Sequence, residues 1–216
     1  MNAIVVAYAM SLLPNQLPVK AEDQIRYVVK NLQPALTESE AKDLAFHIHR
    51  QAKKNRLDWK LMVSLFNQES SLKKNPQNCL TKTENCEDYG VAQINFRTWG
   101  ETLHLDKKKL VSSYGYSVSK ATQILVSYRK QYSKKDPQWY GCYHSVNPEF
   151  KDVYLKRVNI HYGKIKKLLG NYKYEQARKQ SHNDSYVGQN QSVLSFGDTR
   201  RIYVYDRPRR RAGLKA

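Results

Sequence analysis

Apolar residues recur at helical spacing through most of residues 22 to 170, and no stretch there sustains the alternation of a strand. Thr37-Glu38-Ser39-Glu40 reads as a capping box. It predicts a helix running to about Asn55, with Ala41, Leu44, Ala45 and Ile48 on its inner face. Asp58 caps the next predicted helix, whose apolar positions are Met62, Leu65 and Phe66, with Leu61 beside them. Residues 75–89 are polar and contain Pro76, which predicts a long loop. A short helix is expected from Phe96, after Asn95, and a longer one over roughly 119–132. Asp136-Pro137 and Asn147-Pro148 each set a capping residue before a proline at the first helical position. They predict two further helices, the second ending near Gly170. The expected fold class is all-α.

Beyond Gly170 the pattern changes. Asn, Gln, Ser, Tyr and Gly dominate to about Gly197, which suits a linker or an extended arm. Residues 171–216 hold ten Lys+Arg against four Asp+Glu, including Arg200-Arg201 and Arg207-Pro208-Arg209-Arg210-Arg211. Ile202-Tyr203-Val204-Tyr205 reads either as a short strand or as part of a solvated tail. At the other end, residues 3–13 form an apolar run followed by Pro14 and by Val19-Lys20-Ala21, a small-x-small triplet. Residues 1–21 are therefore expected to be a secretory signal or a retained packing segment. The run is too short to span a bilayer as a helix, and no other stretch qualifies. The expected organisation is a helical domain over 22–170 and a basic arm over 171–216.

The chain of 216 residues carries 37 Lys+Arg and 19 Asp+Glu, a formal charge of +18. Such an excess favours an anionic polymer as partner, whether nucleic acid, an anionic membrane surface or the cell wall. No nucleic-acid recognition motif accompanies the charge, so it alone prompts that reading. Lys107-Lys108-Lys109 and Lys164, Lys166 and Lys167 read as solvated faces. Cys79 and Cys86 bracket a short polar loop and are a candidate disulfide in an oxidising compartment. Their six intervening residues match no common zinc-ligand spacing, so no metal site is expected. The odd cysteine, Cys142, reads as a small buried residue.

Among residues able to do chemistry, Glu69 is the most informative. Positions 62, 65, 66 and 69 share one helix face, so an apolar stripe runs into a carboxylate. Desolvation there raises the pKa, as a general acid working near neutral pH requires. His47 and His49, two apart on a helix, face different directions. Tyr89, Trp99, Trp139 and Tyr140 can stack on sugars or simply be buried.

Glu69-Ser70 closes an apolar helix, Gly90-Val91-Ala92-Gln93-Ile94-Asn95 follows the polar loop, and Tyr143-His144-Ser145 comes later. In this order the motifs resemble the soluble lytic transglycosylase family, which shares its core with goose-type lysozymes. The resemblance covers about residues 36 to 165 and implies a lysozyme-like helical domain acting on peptidoglycan glycan strands without a cofactor. Carried onto this chain, Glu69 would protonate the bond between N-acetylmuramic acid and N-acetylglucosamine, then take the proton of the muramyl C6 hydroxyl as a 1,6-anhydro ring closes. An internal hydroxyl traps the cation, so the family needs no second carboxylate, unlike most glycosidases. Ser70 would orient the acid or the substrate, Gly90 would let the backbone approach the sugar, and Gln93, beside Ile94, would bind its polar groups. Tyr143 would place its hydroxyl against Glu69.

Two features depart from the family pattern. His144 stands where Asn is frequent, and the insert with Cys79 and Cys86 brings Glu84, Glu87 and Asp88 near the expected cleft. One of these acids activating water would turn the reaction into lysozyme-like hydrolysis. The resemblance suggests two settings, a phage virion opening the wall for DNA entry or a type IV secretion machine clearing it for assembly. It places the protein in a virion or in the periplasm and cell envelope, with residues 171–216 docking on the partner complex. The other reading is a structural or docking protein that keeps the fold without the activity. Intact Glu69, Gln93 and Tyr143 argue against that loss.

Overall fold

The helical periodicity becomes helices with the caps the sequence supplies. The computed structural model describes residues 20–76 and 87–191, with side chains through residue 180. Residues 3–13, Cys79, Glu84, Cys86 and residues 202–205 lie outside the described residues. Helix α1 (Ala21–Leu32) has Glu22 and Asp23 in its first turn and Lys30 in its last, complementing the helix dipole. Helix α2 (Glu38–Asn55) opens with both halves of the capping box: the Glu40 N–H donates to the Thr37 hydroxyl, and the Thr37 N–H to the Glu40 carboxylate at 2.9 Å. It closes on Arg56 in the left-handed region. The Arg129 guanidinium donates to the carbonyls of Asn55 and Arg56, each at 2.9 Å, where orphan carbonyls and the dipole favour a cation.

Helix α3 (Trp59–Ser70) starts under Asp58, which accepts from the Lys60 N–H. Next come β1 (Asp88–Tyr89) and β2 (Ile94–Asn95), a two-residue antiparallel pair with Asp88 opposite Asn95 and Tyr89 opposite Ile94. Helices α4 (Phe96–Trp99), α5 (Lys107–Ser112) and α6 (Tyr114–Tyr132) follow, then a short 3₁₀ helix (Trp139–Tyr143) and α7 (Pro148–Gln191). Helix α6 begins earlier than the periodicity suggested, because Ser113 caps it by accepting from the Tyr116 N–H. Asp136-Pro137 caps no helix: Asp136 accepts from the Gln138 N–H in the turn before the 3₁₀ helix, which starts at Trp139 without a side-chain cap. No described helix is long and apolar enough to cross a membrane.

Helix α2 sits at the centre, packed on α1 and α6. Its buried stripe is Ala41, Leu44, Ala45, Ile48 and Ala52. Small residues at 41, 45 and 52 let neighbouring helices approach, and the larger ones interlock. Helix α3 is buried on nearly all sides over Met62–Phe66, with Ser64 closing its hydroxyl onto the Lys60 carbonyl at 2.7 Å. Cys142 is buried, as expected, and burial pushes its thiol pKa up.

The last helix corrects one expectation. Helix α7 does not stop near Gly170 but runs on to Gln191, through Gly163 and Gly170. A glycine inside a helix costs only about 1 kcal/mol. Here Ile165 and Tyr172 are buried on either side of Gly170, and the Tyr172 ring packs on Tyr27 of α1 at 4.7 Å between centroids. Burying these side chains contributes roughly 2 kcal/mol each, enough to carry the helix past the glycine.

Candidate active site

Glu69 sits one residue from the end of α3, and the way that helix ends exposes it to a cleft. Ser71 and Leu72 both adopt left-handed backbone, φ +54° and +64°. For non-glycine residues this costs roughly 1–2 kcal/mol each. Leu72 is wholly buried, which offsets much of the cost. The turn is further held by the Gln33 amide, donating to the Ser71 carbonyl at 2.9 Å, and by the Tyr114 hydroxyl, donating to the Leu72 carbonyl at 3.2 Å. The chain therefore swings away immediately after Ser70.

Helix α7 clasps α3 by polar contacts along its length. The Tyr162 hydroxyl donates to the Asp58 carboxylate at 2.6 Å at the helix start, and His161 lies 2.7 Å from the Asn67 amide. At the other end of α3 the Tyr154 hydroxyl donates to Glu69 Oε1 at 2.5 Å. Tyr154 is itself buried, and His144 lies flat on it, with ring centroids 4.7 Å apart and planes 9° apart. His144 is exposed as a residue, but this partial desolvation holds its imidazole below the ordinary range.

The tyrosine on the acid is thus Tyr154 and not Tyr143. The Tyr143 hydroxyl donates to the Ala92 carbonyl at 2.8 Å. Ser70 also acts at a distance from substrate: it is buried, and its hydroxyl points at the Val91 carbonyl at 2.7 Å and the Phe66 carbonyl at 3.1 Å. Both side chains hold the turn between β1 and β2, whose Val91 and Ala92 are fully buried. Gly90 belongs to the same turn. Its φ is +78°, and a Cβ there would lie 2.4 Å from the Leu110 carbonyl oxygen and 2.6 Å from Ser117 Oγ. The missing side chain makes room for α5 and α6, not for a sugar.

Gln93, at φ +43°, turns its amide back to donate to the Gly90 carbonyl at 2.9 Å, leaving its carbonyl for other partners. This anchored turn forms one side of a cleft of about 340 Å³, lined by Glu69, Asp88, Gln93, Ile94, Asn95, Trp99, Tyr128, Tyr143 and His144, among others. Ile94 is buried beneath it. Trp99 and Tyr128 meet edge to face at 5.8 Å and supply an aromatic wall. Of the aromatic residues singled out from the sequence, Trp99 reaches the cleft. Tyr89 packs on Phe96, and Trp139 packs on Tyr140.

Desolvation is the main cause of a Glu69 pKa raised to about 7. The Tyr154 hydrogen bond opposes the rise and the charge of Asp88 adds to it. Burial, with the Glu69 charge, keeps Tyr154 and Tyr143 well above the usual phenol range, so both remain donors. Glu69 accordingly holds a proton near neutral pH, within reach of any ligand in the cleft.

Tyr154, Tyr128 and the buried end of the β-turn are the site residues sequence reasoning missed. Tyr154 and Tyr128 sit among core-facing positions of α7 and α6, where a tyrosine is indistinguishable from packing. Only the chemistry of a Tyr hydroxyl needing a partner when buried hints at more.

An all-α, lysozyme-like domain with one proton-holding carboxyl in an open aromatic cleft is a scaffold for general-acid cleavage of a polymer. The chain belongs to the transglycosylase SLT domain family, whose model matches residues 46–178. Membership implies lytic transglycosylase activity on peptidoglycan in general. No curated protein matches the chain, and no solved structure does.

Proposed function

We propose that this protein cleaves the bond between N-acetylmuramic acid and N-acetylglucosamine, leaving a 1,6-anhydromuramyl end. The observation that carries the reading is Glu69, desolvated to a pKa of about 7 and gripped by Tyr154 in the cleft. Its proton passes to the glycosidic oxygen as the C1–O bond breaks. The resulting carboxylate takes the proton of the C6 hydroxyl as that oxygen bonds to C1, which returns Glu69 to its starting state. Trp99 and Tyr128 supply an apolar wall that disfavours water as the competing nucleophile.

The cleavage serves local opening of the wall, in a virion during DNA entry or in the cell envelope where a secretion apparatus assembles. The formal charge of +18 favours adhesion to an anionic wall, and residues 171–216 serve as the docking arm for the partner complex. Asp88 in the cleft favours a second reading, hydrolysis by an activated water.

Purified peptidoglycan is digested with wild type and with Glu69→Gln, and the released sugars are identified by mass spectrometry. Anhydromuropeptides from wild type alone are the expected result. Reducing muropeptides would establish hydrolysis instead. No product from folded wild type would refute both readings.

A further inference from the structure

A second cavity lies at the opposite end of α3 from Glu69. It is a groove of about 400 Å³ between α1, the first turn of α3 and α7, and it shares no lining residue with the cleft of Glu69. Trp59, in its wall, opens α3, so the two sites are roughly 15 Å apart along that helix. Helix α7 supplies the basic side. Lys166, Gly170 and Lys173 follow at the spacing of one helix face, which sets the two lysines roughly 10 Å apart along the axis. A Cβ at Gly170 would meet nothing within 4 Å, so any side chain there would stand in open space between the two cations. Among the described residues no acid pairs with Lys166 or Lys173. Lys60 differs: it pairs with Asp58 at 2.9 Å and sits 5.4 Å from the centroid of the Trp59 ring. Gln24 of α1 adds an amide, and no acid lines the groove.

We propose that this groove is a second, non-catalytic binding site for peptidoglycan, in which Trp59 supports a sugar ring and Lys166 and Lys173 hold carboxylates of the peptide stems. The inference rests on peptidoglycan as substrate and is independent of how Glu69 cuts it. An indole offers a flat apolar surface to the C–H face of a sugar and keeps a polar N–H for its hydroxyls. The two unpaired ammonium groups are compact charges on flexible stems, suited to carboxylates whose positions vary from stem to stem. Each exposed contact of this kind is weak on its own. The site therefore acts through the polymer: a wall strand held in the groove raises the effective concentration of neighbouring strand at the cleft. Of the basic run Lys164, Lys166 and Lys167, it is Lys166 that lines the groove. A single-stranded nucleic acid is a poorer match, because it calls for successive aromatic platforms along a continuous basic track, and the groove has one indole between α1 and two lysines.

The test uses the full chain carrying Glu69→Gln, so that binding is measured without turnover. Lys166→Gln with Lys173→Gln empties the groove of its unpaired charge; both side chains are exposed, so the fold should be retained. Lys134→Gln with Lys135→Gln, which line neither cavity, removes the same net charge elsewhere and is the control. The probes are soluble glycan strands with their peptide stems, the same strands stripped of stems, poly(glycerol phosphate) and a single-stranded oligonucleotide. The groove pair is expected to weaken binding of stem-bearing strands about fivefold to tenfold at low salt, and the control pair less than about twofold. The difference should vanish in molar salt and on stripped strands. The Trp59 indole N–H resonance, assigned by its loss in Trp59→Phe, should shift on adding stem-bearing strands, a readout that a merely structural role for the lysines would not move. With Glu69 restored, the groove pair should raise KM on those strands and leave kcat within about twofold. Equal losses from the two pairs would overturn the inference, since they mark non-specific attraction by net charge. So would an unmoved Trp59 resonance, or a groove-dependent preference for the phosphate polymer or the oligonucleotide. Each of these leaves cleavage by Glu69 intact, whereas an inactive wild type that still binds through the groove refutes the cleavage reading alone.

Discussion

Glu69→Gln tests the central electrostatic claim without substrate. The raised pKa means that folding takes a carboxyl from an environment where it ionises at about 4.5 to one where it ionises at about 7. Below pH 4.5 the group is protonated in both states, and its contribution to stability is fully present. Between 4.5 and about 7 the unfolded chain ionises while the folded one does not, so stability falls as pH rises. Above about 7 both are ionised and the loss is complete. At about 1.4 kcal/mol per unit, the span is worth roughly 3 kcal/mol. Glutamine keeps the shape and an oxygen to accept from Tyr154, but cannot ionise. The variant should therefore match wild type near pH 4 and exceed it by roughly 3 kcal/mol at pH 8. Urea unfolding at pH 4, 5.5 and 8 measures this, with equal m-values confirming an unchanged unfolding reaction. In a chain of this size the gap is roughly 10 °C in Tm. A stability difference that is the same at pH 4 and pH 8 would show that Glu69 is not desolvated, and the account of its acidity would fail.

Tyr154→Phe removes the hydroxyl that favours the charged carboxylate, so the Glu69 pKa should rise further and the alkaline limb of kcat should move to higher pH. Loss of a hydrogen bond to a charged group is worth about 1.5–3 kcal/mol, so kcat should fall between about 10-fold and 100-fold; an unmoved limb refutes the pairing. Gly90→Ala adds a Cβ 2.4 Å from the Leu110 carbonyl at a positive φ and should destabilise by roughly 2–4 kcal/mol in denaturant unfolding, whereas a cost near zero would show that the turn has room to shift.

The local rules account for much of this protein. The Thr37–Glu40 box, the Asp58 and Asn95 caps and Pro148 at the start of α7 are short-range chemistry, in which a side chain satisfies a nearby backbone group. They act wherever the chain folds, and they are legible without knowing the partner elements. The stripe of Met62, Leu65 and Phe66 running into Glu69 is legible for the same reason: one helix face is set by spacing alone.

What only the tertiary structure decided are the contacts between residues far apart in the chain. Tyr143 and Tyr154 are both tyrosines near the expected cleft, and nothing in their local sequence tells which reaches the acid. The choice depends on how α7 crosses α3, which places Tyr154 on Glu69, 85 positions away, and leaves Tyr143 on the Ala92 carbonyl. Ser70 and Gly90 were legible as important but not as turn anchors, because their partners, Val91, Leu110 and Ser117, come from elements that meet only on folding. Gly170 looked like a stop because glycine ends helices in isolation; burial of Ile165 and Tyr172 overrode it. Capping and periodicity are nearest-neighbour energies, written residue by residue. The pKa of Glu69 is a property of packing, set by what elements distant in the chain bring around one carboxyl.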